Sequence, residues 1–395
     1  MNALIRTLGL SAIVVVTGMA GSALGQEPTG GASGRKPSVL DDPQFFPLAV
    51  WLQNPSQTAR YKAAGINVYV ALWRGPTEDQ LAELKRHSLY VICSQNRVGL
   101  AHKDDPTILG WMHGDEPDNA QSRRGGGGYD PPILPAKVVE NYRRMKEADP
   151  SRPVLLNLGQ GVAWDQWIGR GVRRNHPEDY PEYIKGCDIA SFDIYPACHD
   201  HPDVAGKLWM VADGVRRLKD WAGPDRPVWN CIECTHISNP KAKATPPQVK
   251  AEVWMSIVRG SRGIIYFVHQ FEPRFIEAGL LADEAMLAEV TAVNKQIHEL
   301  APAIKSPDVP GGVKVTSSSA DVPIEAVAKR HEGAAYIFAV GMRGGKAEAT
   351  FQVAGMEGQA TAEVVGEGRT VEVLGGEFRD SFEPWDVHLY RIKAQ

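Results

Sequence analysis

The sequence predicts a (β/α)8 TIM barrel followed by a small C-terminal antiparallel β-sandwich. Eight short apolar runs alternate with helical segments over residues 43–302, which is the size and rhythm of such a barrel. After Ala301-Pro302 the chain instead alternates apolar and polar residues between Gly-rich turns, as expected of a sandwich over residues 310–395. A doubly wound open sheet is the alternative, but no G-x-G-x-x-G motif follows the first strand.

The elements follow from apolar runs and from helix start and stop signals. One helix begins at the capping box Thr77-Glu-Asp-Gln80, and another at Thr245-Pro-Pro-Gln248, where proline occupies the first helical position. The predicted barrel strands are 46–53, 67–73, 90–96, 108–112, 154–158, 189–196, 227–233 and 263–270. The predicted helices are 56–64, 77 onward, 136–148, 206–221, 245–260 and 283–300. The sandwich strands are 313–316, 324–330, 334–340, 347–353, 360–365, 371–373 and 387–392.

Composition and charge exclude several classes of protein. The 395 residues are 43% hydrophobic and 23% charged, which excludes a disordered or fibrous chain. The formal net charge of −4 leaves no basic surface of the kind that binds nucleic acid. No phosphate- or dinucleotide-binding loop is present, so the sequence predicts no organic cofactor.

The N-terminal residues 1–25 have the features of an export signal. Arg6 is followed by an apolar run over residues 8–19 and by the small residues Ala23-Leu-Gly25, where cleavage is expected. A retained membrane anchor is the alternative, but the run is short and rich in glycine for a spanning helix. Residues 26–42 are expected to form a flexible linker. The sequence thus predicts an exported protein, periplasmic or extracellular, with no stable membrane span after signal cleavage.

The five cysteines are an odd number, which argues against a disulfide scaffold. Cys231-Ile-Glu-Cys234 has C-x-x-C spacing, but no second such pair exists to complete a zinc site. Cys187 and Cys198 flank one strand and could form a disulfide in an oxidising compartment.

The strongest chemical signal lies at the end of the fourth predicted strand. Ile108 to Met112 is followed by His113, Asp115 and Glu116, and Pro117 then stops the strand pairing. In a barrel the C-terminal strand ends share one face, so Glu233, at the end of strand seven, lies at the same mouth. Glycoside hydrolysis requires two carboxyl groups on either side of the scissile bond.

Asp115-Glu116-Pro117 and Cys231-Ile-Glu233 resemble the motifs of the clan A glycoside hydrolases, which are retaining (β/α)8 enzymes. The resemblance covers about residues 43–300. It implies a glycosidase in which Glu116 is the general acid/base, Glu233 is the nucleophile and Tyr195 orients the nucleophile. Asp115 departs from the clan, because an Asn that binds the sugar 2-hydroxyl is usual there.

A carbohydrate substrate would be held by polar groups and aromatic rings at the strand ends. Strand eight ends in His269-Gln270, where these enzymes often present a Trp platform. The predicted polar contacts are Asn96, His113, Asp115, Asp193, Tyr195, His236, His269 and Gln270. The candidate stacking surfaces are Trp51, Trp73 and Trp164.

A long loop over residues 160–181 is expected on the same face. It contains Trp164, Trp167 and three arginines, Arg170, Arg173 and Arg174. Guanidinium groups suit an anionic sugar such as a uronate or a sulfate ester. Solvated surface arginines are an equally good interpretation.

Two other functions remain open from the sequence. One is a metal-dependent barrel hydrolase, although strand one ends Trp51-Leu-Gln53 and lacks the His-x-His pair usual in zinc barrels. Its candidate ligands are His113, Asp115, Asp193, His236 and His269. The other is a non-catalytic carbohydrate-binding barrel, since a fold does not determine a function.

Overall fold

The computed structural model describes residues 38–123 and 126–393, which lie in one compact unit. The predicted signal peptide and most of the predicted linker fall outside these ranges. Within them, no helix is both long enough and apolar enough to cross a bilayer.

The predicted (β/α)8 barrel is confirmed. Eight parallel strands close into a ring in the order β1-β10-β9-β8-β7-β4-β3-β2. A small two-stranded hairpin follows the fourth barrel strand along the chain. The strands are β1 (Leu48–Trp51), β2 (Val68–Val70), β3 (Tyr90–Cys93), β4 (Ile108–Met112), β5 (Gln121–Ser122), β6 (Tyr129–Asp130), β7 (Val154–Leu158), β8 (Ile189–Phe192), β9 (Val228–Glu233) and β10 (Ile264–Phe267). The hairpin is β5 with β6, so β4 and β9 are the fourth and seventh strands of the barrel.

The helices begin where the capping signals predict. Gln80 N–H donates to Thr77 Oγ1 and Thr77 N–H donates to Gln80 Oε1, so each satisfies a free backbone donor of the first turn. Two short helices, α3 and α5, were not predicted. The helices are α1 (Thr58–Ala63), α2 (Glu78–Arg86), α3 (Arg97–Ala101), α4 (Pro135–Ala148), α5 (Asp179–Ile184), α6 (Met210–Ala222), α7 (Pro246–Val258) and α8 (Glu284–Lys305).

Alternate residues of each barrel strand fill the interior with apolar side chains. In β9, Trp229 and Cys231 face inward, whereas Ile232 packs in the outer core beneath the helices. Other barrel strands contribute Ala49, Ile92 and Leu155 to the same interior. The barrel is therefore a packed core, and its chemistry is confined to the C-terminal mouth.

Gly263, just before β10, leaves space that the Trp229 ring occupies. A Cβ added at residue 263 would lie 2.5 Å from the ring, which is fully buried. We expect Gly263→Ala to lower the free energy of unfolding by about 1–3 kcal/mol through overpacking, as measured by urea denaturation. Gly341→Ala is the matched control, because the nearest atom there would be 3.6 Å away. Equal stability of the two variants would contradict this account of the barrel interior.

The C-terminal domain is one antiparallel sheet of eight strands that encloses its own apolar core. Its edge strands β11 and β12 come together, so the sheet closes over itself in a sandwich-like form. Strand β17 was not predicted, because its buried Phe378 and Phe382 are separated by charged residues. The strands are β11 (Val313–Ser317), β12 (Ile324–His331), β13 (Ala334–Gly341), β14 (Ala347–Val353), β15 (Gln359–Val364), β16 (Arg369–Leu374), β17 (Glu377–Phe382) and β18 (Val387–Lys393).

This sheet packs on the outside of the barrel, away from the strand ends that carry the carboxylates. The ring of Phe338 in β13 lies 5.4 Å from the ring of Trp254 in α7, and Arg259 pairs with Glu325. The apolar core beneath the barrel helices continues into β13 and β18. The sheet therefore supports α7, the helix that follows β9.

The possible disulfide between Cys187 and Cys198 is wrong. All five cysteines are buried and unpaired in the structure. Cys198 lies in the loop after β8, where its thiol faces the backbone carbonyl of Tyr195, and Cys187 lies before β8. Because the two residues flank opposite ends of the strand, they are held apart.

Candidate active site

Glu116 lies at the end of β4 in a backbone conformation that is unusual for a glutamate. Its φ is +40°, in the left-handed region. The conformation is held by hydrogen bonds from Glu116 N–H to Asn157 O (3.1 Å) and from Asn119 N–H to Glu116 O (3.0 Å). Strain of this kind is stored at functional sites, and here it determines where the Glu116 carboxylate points.

A cluster of acidic groups surrounds Glu116 across the ends of three strands. Asn157 of β7 donates from Nδ2 to Asp115 Oδ1 at 3.0 Å and lies 3.4 Å from Asp193 Oδ2. Asp193, directly after β8, is hydrogen-bonded to the side chain of Glu116. We call Asp115, Glu116, Asn157 and Asp193 the acidic cluster.

Asp115 and Asp193 of the acidic cluster hold their protons to a higher pH than ordinary aspartates do. Burial, followed by the charges of Glu116 and Asp115, raises the pKa of Asp193 well above its ordinary value. Asp115 keeps contact with solvent, but the protein around it and the neighbouring Glu116 charge raise its pKa to about 7. Asp193 therefore holds its proton more tightly than an ordinary aspartate, and in the protonated form it donates a hydrogen bond to Glu116.

A buried aspartate next to Glu116 fixes the neighbouring loop. Asp118 accepts hydrogen bonds from Gly159 N–H (2.9 Å) and from the hydroxyl of Tyr180 (3.0 Å). Burial and the charge of Glu116 raise the pKa of Asp118 to about 7. Gly159 packs closely on Glu116, because a Cβ there would lie 2.8 Å from Glu116 Oε1 and the carboxyl group would have to shift. The hydrogen bonds of Asp118 therefore hold the loop after β7 close to the Glu116 side chain.

Glu233 ends β9 as predicted, but it is not open to the barrel mouth. The residue is fully buried, and its Oε1 accepts hydrogen bonds from the backbone N–H groups of Ala197 and Cys198. Its Oε2 has no hydrogen-bond partner in the described part of the chain. The expectation that Glu233 faces substrate directly is therefore corrected, because the backbone of residues 197–198 covers its carboxyl group.

A second buried carboxyl group lies behind Glu233. Glu252 of α7 is fully buried, and the charge of Glu233 acts on it. Burial raises the pKa of Glu233 to about 8 and that of Glu252 well above its ordinary value, since neither charge has a cationic partner among the described residues. Glu233 is therefore largely protonated at neutral pH in this closed arrangement, and Glu252 holds its proton more tightly than an ordinary glutamate.

Tyr195 lies between the acidic cluster and the buried pair of Glu233 and Glu252. Its ring contacts Phe267 at 5.1 Å between centroids, and its hydroxyl faces Cys231 inside the barrel. Burial and the charge of Asp193 raise the pKa of the Tyr195 hydroxyl well above its ordinary value. The structure therefore brings Tyr195 to the acidic cluster, as well as to the loop that covers Glu233.

Two residues that were predicted to contact substrate hydroxyls instead form hydrogen bonds within the protein. Asn96 caps α3 by accepting from Gly99 N–H at 2.8 Å, and its amide donates to Pro76 O at 2.9 Å. His113 is buried, with Nε2 2.7 Å from Gly186 O. Neither side chain is free to bind substrate in this structure, so these two predictions are not supported.

The three candidate stacking surfaces differ in exposure. Trp51 and Trp164 are each only 6% exposed, Trp51 inside the barrel and Trp164 stacked on Trp167 at 5.0 Å. Trp73, in contrast, is 64% exposed, with the Arg74 guanidinium 5.7 Å from its ring. Trp73 is therefore the open platform among the three.

The remaining predicted contacts lie at the ends of β9 and β10. His236 and Gln270 line a cleft of about 470 Å³ that also contains Lys243 and Asp283, which form an ion pair. His269 is buried and lies 3.2 Å from Gln53 Nε2, and its ring stacks near two phenylalanines. His236 Nδ1 lies close to the carbonyls of Asn239 and Ala242, so this ring is held by its own loop.

The candidate metal ligands do not come together. Among the residues described, no group of three or more His, Cys, Asp or Glu side chains is arranged to hold a metal ion. His113 and His269 are each engaged elsewhere, whereas Asp115 and Asp193 lie in the acidic cluster. The geometry thus gives no support to the metal-dependent alternative.

Comparison with known proteins finds the same architecture in several solved structures. No protein-family model matches the chain, and no curated protein is significantly similar to it. A variant of AmyP in complex with maltotriose has a TM-score of 0.55 at 10% identity, over 91% of this chain and 99% of that one. The α-amylase GTA of Geobacillus thermoleovorans, complexed with acarbose, has a TM-score of 0.54 at 9% identity, over 91% and 100%.

A third solved structure is a catalytic mutant of Gan42B, a GH42 β-galactosidase from G. stearothermophilus. Its TM-score is 0.53 at 9% identity, covering 89% of this chain and 98% of that one. The likeness is one of fold. The predicted resemblance to (β/α)8 glycoside hydrolases with an appended β domain is therefore confirmed at that level.

Proposed function

We propose that this protein is a glycoside hydrolase. The observation that carries the proposal is the position of Glu116, in strained backbone at the barrel mouth and hydrogen-bonded to Asp193, whose pKa is raised by burial. Protonation of a glycosidic oxygen requires a carboxyl group that can give up and take back a proton, with a second carboxyl group nearby. The fold shared with an α-amylase and a β-galactosidase supports the same reaction class.

Glu116 is the general acid/base in this proposal. Asp193 is not the second catalytic carboxylate, because it hydrogen-bonds to Glu116, whereas retaining enzymes separate the pair by about 5–5.5 Å. Asp115 is bridged to Asp193 by Asn157 and therefore lies on the same side. That leaves Glu233, from the seventh strand of the barrel, as the nucleophile of a retaining double displacement.

Glu233 becomes a nucleophile only when residues 197–198 withdraw. These residues belong to the segment after Tyr195, and a cavity of about 160 Å³ lies beside them, lined by Tyr195, Cys198, His199, Asp200, Ile237, Ser238 and Asn239. Loss of the cover admits water and the sugar, which favours the ionised carboxylate. The substrate is a polysaccharide or oligosaccharide, with Trp73 as a stacking surface. The proposal puts the reaction outside the cytoplasm, and the export-signal features of residues 1–25 support this part of it.

A non-catalytic carbohydrate-binding barrel is the second candidate. The burial of Glu233 favours it, because a sealed and protonated carboxyl group cannot attack an anomeric carbon. The two functions differ in turnover alone, so binding assays do not separate them.

The test is a screen of purified protein on a broad panel of polysaccharides and oligosaccharides, with release of reducing ends as the readout. The proposal predicts release from at least one glycan. Binding of a glycan that is never cleaved, across pH 5 to 9, would reject the hydrolase and leave the binding barrel.

The proton on Asp193 leads to a prediction with a built-in control. Asp193→Asn keeps a neutral side chain that can still donate to Glu116, so we expect kcat/KM to stay within about threefold of wild type at neutral pH. Asp193→Ala removes the donor and should lower kcat/KM by about 10–100-fold, the value of a hydrogen bond to a charged group. Equal losses in the two variants would show that the hydrogen bond to Glu116 is not what matters at residue 193.

A further inference from the structure

Two arginines of the loop after β7 share one aromatic ring. The guanidinium groups of Arg170 and Arg174 lie 5.6 and 4.8 Å from the centre of the Trp167 ring. Trp167 is itself stacked on Trp164, with centroids 5.0 Å apart and planes 17° from parallel. Two positive groups are thus held close together by an indole, although like charges repel.

These arginines lack the counter-ions that their neighbours have. Arg173, between them, forms a two-bond ion pair with Asp179 at 2.7 Å, and Arg217 pairs with Asp165 at 2.7 Å. In residues 38–123 and 126–393, no carboxylate lies within ion-pair distance of Arg170 or Arg174. The structure therefore distinguishes one structural arginine from two that are available.

Two buried donors of the same group are also unsatisfied. Arg170 Nε and the indole N–H of Trp167 are both shielded from solvent and have no hydrogen-bond partner in the described chain. Buried donors are normally satisfied, and each exception requires an explanation, such as strain, a catalytic role or a bound water or ion. Both donors belong to the cluster of Arg170, Trp167 and Arg174, whose hydrogen-bonding capacity is thus incompletely used.

The loop is fixed to the segment that carries Glu116. Gly169 N–H donates to the hydroxyl of Tyr180, which in turn donates to Asp118, two residues after Glu116. Gly169 has φ of +63°, and a Cβ there would meet the carbonyl oxygen of Arg173 at 2.1 Å. The arginines are therefore displayed from a tightly closed turn at the edge of the barrel mouth.

We propose that Arg170, Trp167 and Arg174 form a subsite for an anionic group on the glycan, a carboxylate or a sulfate ester. This inference rests on the proposed glycosidase function and narrows its substrate to acidic glycans. The planar guanidinium matches the two oxygens of a carboxylate or sulfate, and the exposed edge of the loop admits a polymer. Uronates and sulfate esters present the same chemistry, so the choice between them is an experimental one.

The experiment measures binding in a Glu116→Gln background, where turnover does not consume the probe. The probes are two matched pairs, polygalacturonate with its fully methyl-esterified form and dextran sulfate with dextran. Titration calorimetry and tryptophan fluorescence give Kd at about 30 and 300 mM salt, concentrations that span strong and weak screening. The variants are Arg170→Gln, Arg174→Gln and the double substitution. Arg343→Gln is the control, because it removes an arginine stacked on Trp209 in another part of the molecule.

At least one anionic probe should bind at least tenfold more tightly than its neutral partner, with the preference reduced at the higher salt concentration. The double variant should lose this preference, and Arg343→Gln should keep it. The pair that shows the preference identifies the anion as a uronate or a sulfate ester.

Failure of the subsite is distinguishable from failure of the hydrolase. Equal binding of charged and neutral probes, or an anionic preference that survives the double variant, would overturn the subsite while leaving turnover of neutral glycans intact. Arginine-dependent anion binding without cleavage of any glycan would keep the subsite as an anion site and reject the hydrolase. No binding by any probe would overturn the subsite.

Discussion

Glu116→Gln is expected to lower kcat by about 10²–10⁴-fold on the best glycan, since the amide cannot deliver a proton to the leaving oxygen. The substitution is isosteric, so the backbone hydrogen bonds of residue 116 to Asn157 and Asn119 should persist. The measurement is the initial rate of reducing-end release, with circular dichroism to show that the fold is unchanged.

The matched control for this variant is Glu147→Gln, on the exposed face of α4. It removes the same charge from the same kind of side chain, far from the acidic cluster, and should retain full activity. If Glu116→Gln and Glu147→Gln are equally active, the acidic cluster is not the reaction centre, and another carboxylate has to be sought.

Glu233→Gln is expected to abolish turnover and also to stabilise the fold in alkaline solution. The folded pKa of Glu233 is about 8, against 4.5 for an ordinary glutamate, so the folded state keeps a proton that the unfolded chain releases. Wild-type stability therefore falls as pH rises from about 4.5 to about 8. Gln carries no proton to lose, so the variant should be more stable by more than about 2 kcal/mol at pH 9 and equal at pH 4.5.

The measurement is urea denaturation of both proteins at pH 4.5, 7 and 9, together with kcat at neutral pH. Glu147→Gln serves again, because an exposed glutamate should show no such divergence. A Glu233→Gln variant that is less stable than wild type at pH 9 would contradict the buried, protonated state. Retained turnover in Glu233→Gln would remove it from the mechanism.

The barrel was predictable from the sequence because short stretches of residues determine its strands and its helix starts. Each barrel strand is an apolar run of three to six residues, and the helix starts are marked by local pairs such as Thr77 with Gln80 and Thr245 with Gln248. The grouping of Glu116, Asp115 and Asp193 was also predictable, since the ends of parallel strands meet at one mouth. The short helices α3 and α5 were missed because they have few residues to show a period.

The hydrogen bonds that individual side chains form within the protein were not predictable from the sequence in the same way. Asn96 follows a strand and looks available in sequence, but it also precedes a helix, and its amide caps that helix. The burial of Glu233 depends on how residues 197–198 turn after β8, and that is a tertiary contact.

Three residues that matter for the site were missed, and each gives a signal in the sequence. Asn157 is polar inside the apolar strand Val154–Leu158, and Glu252 interrupts the apolar helix α7. Asp118 follows Pro117 directly after the central motif. A polar residue in an apolar run needs a partner, and that requirement would have pointed to the neighbours of Glu116 and Glu233.

The most direct test of the account is covalent trapping of the nucleophile. The protein would be incubated with a slow mechanism-based fluoroglycoside of its best sugar, followed by intact mass and peptide mass spectrometry. The account predicts one added glycosyl group, located on Glu233, and no label on Glu233→Gln. A label on Asp115 or Asp193, or continued turnover with no label on any carboxylate, would contradict it.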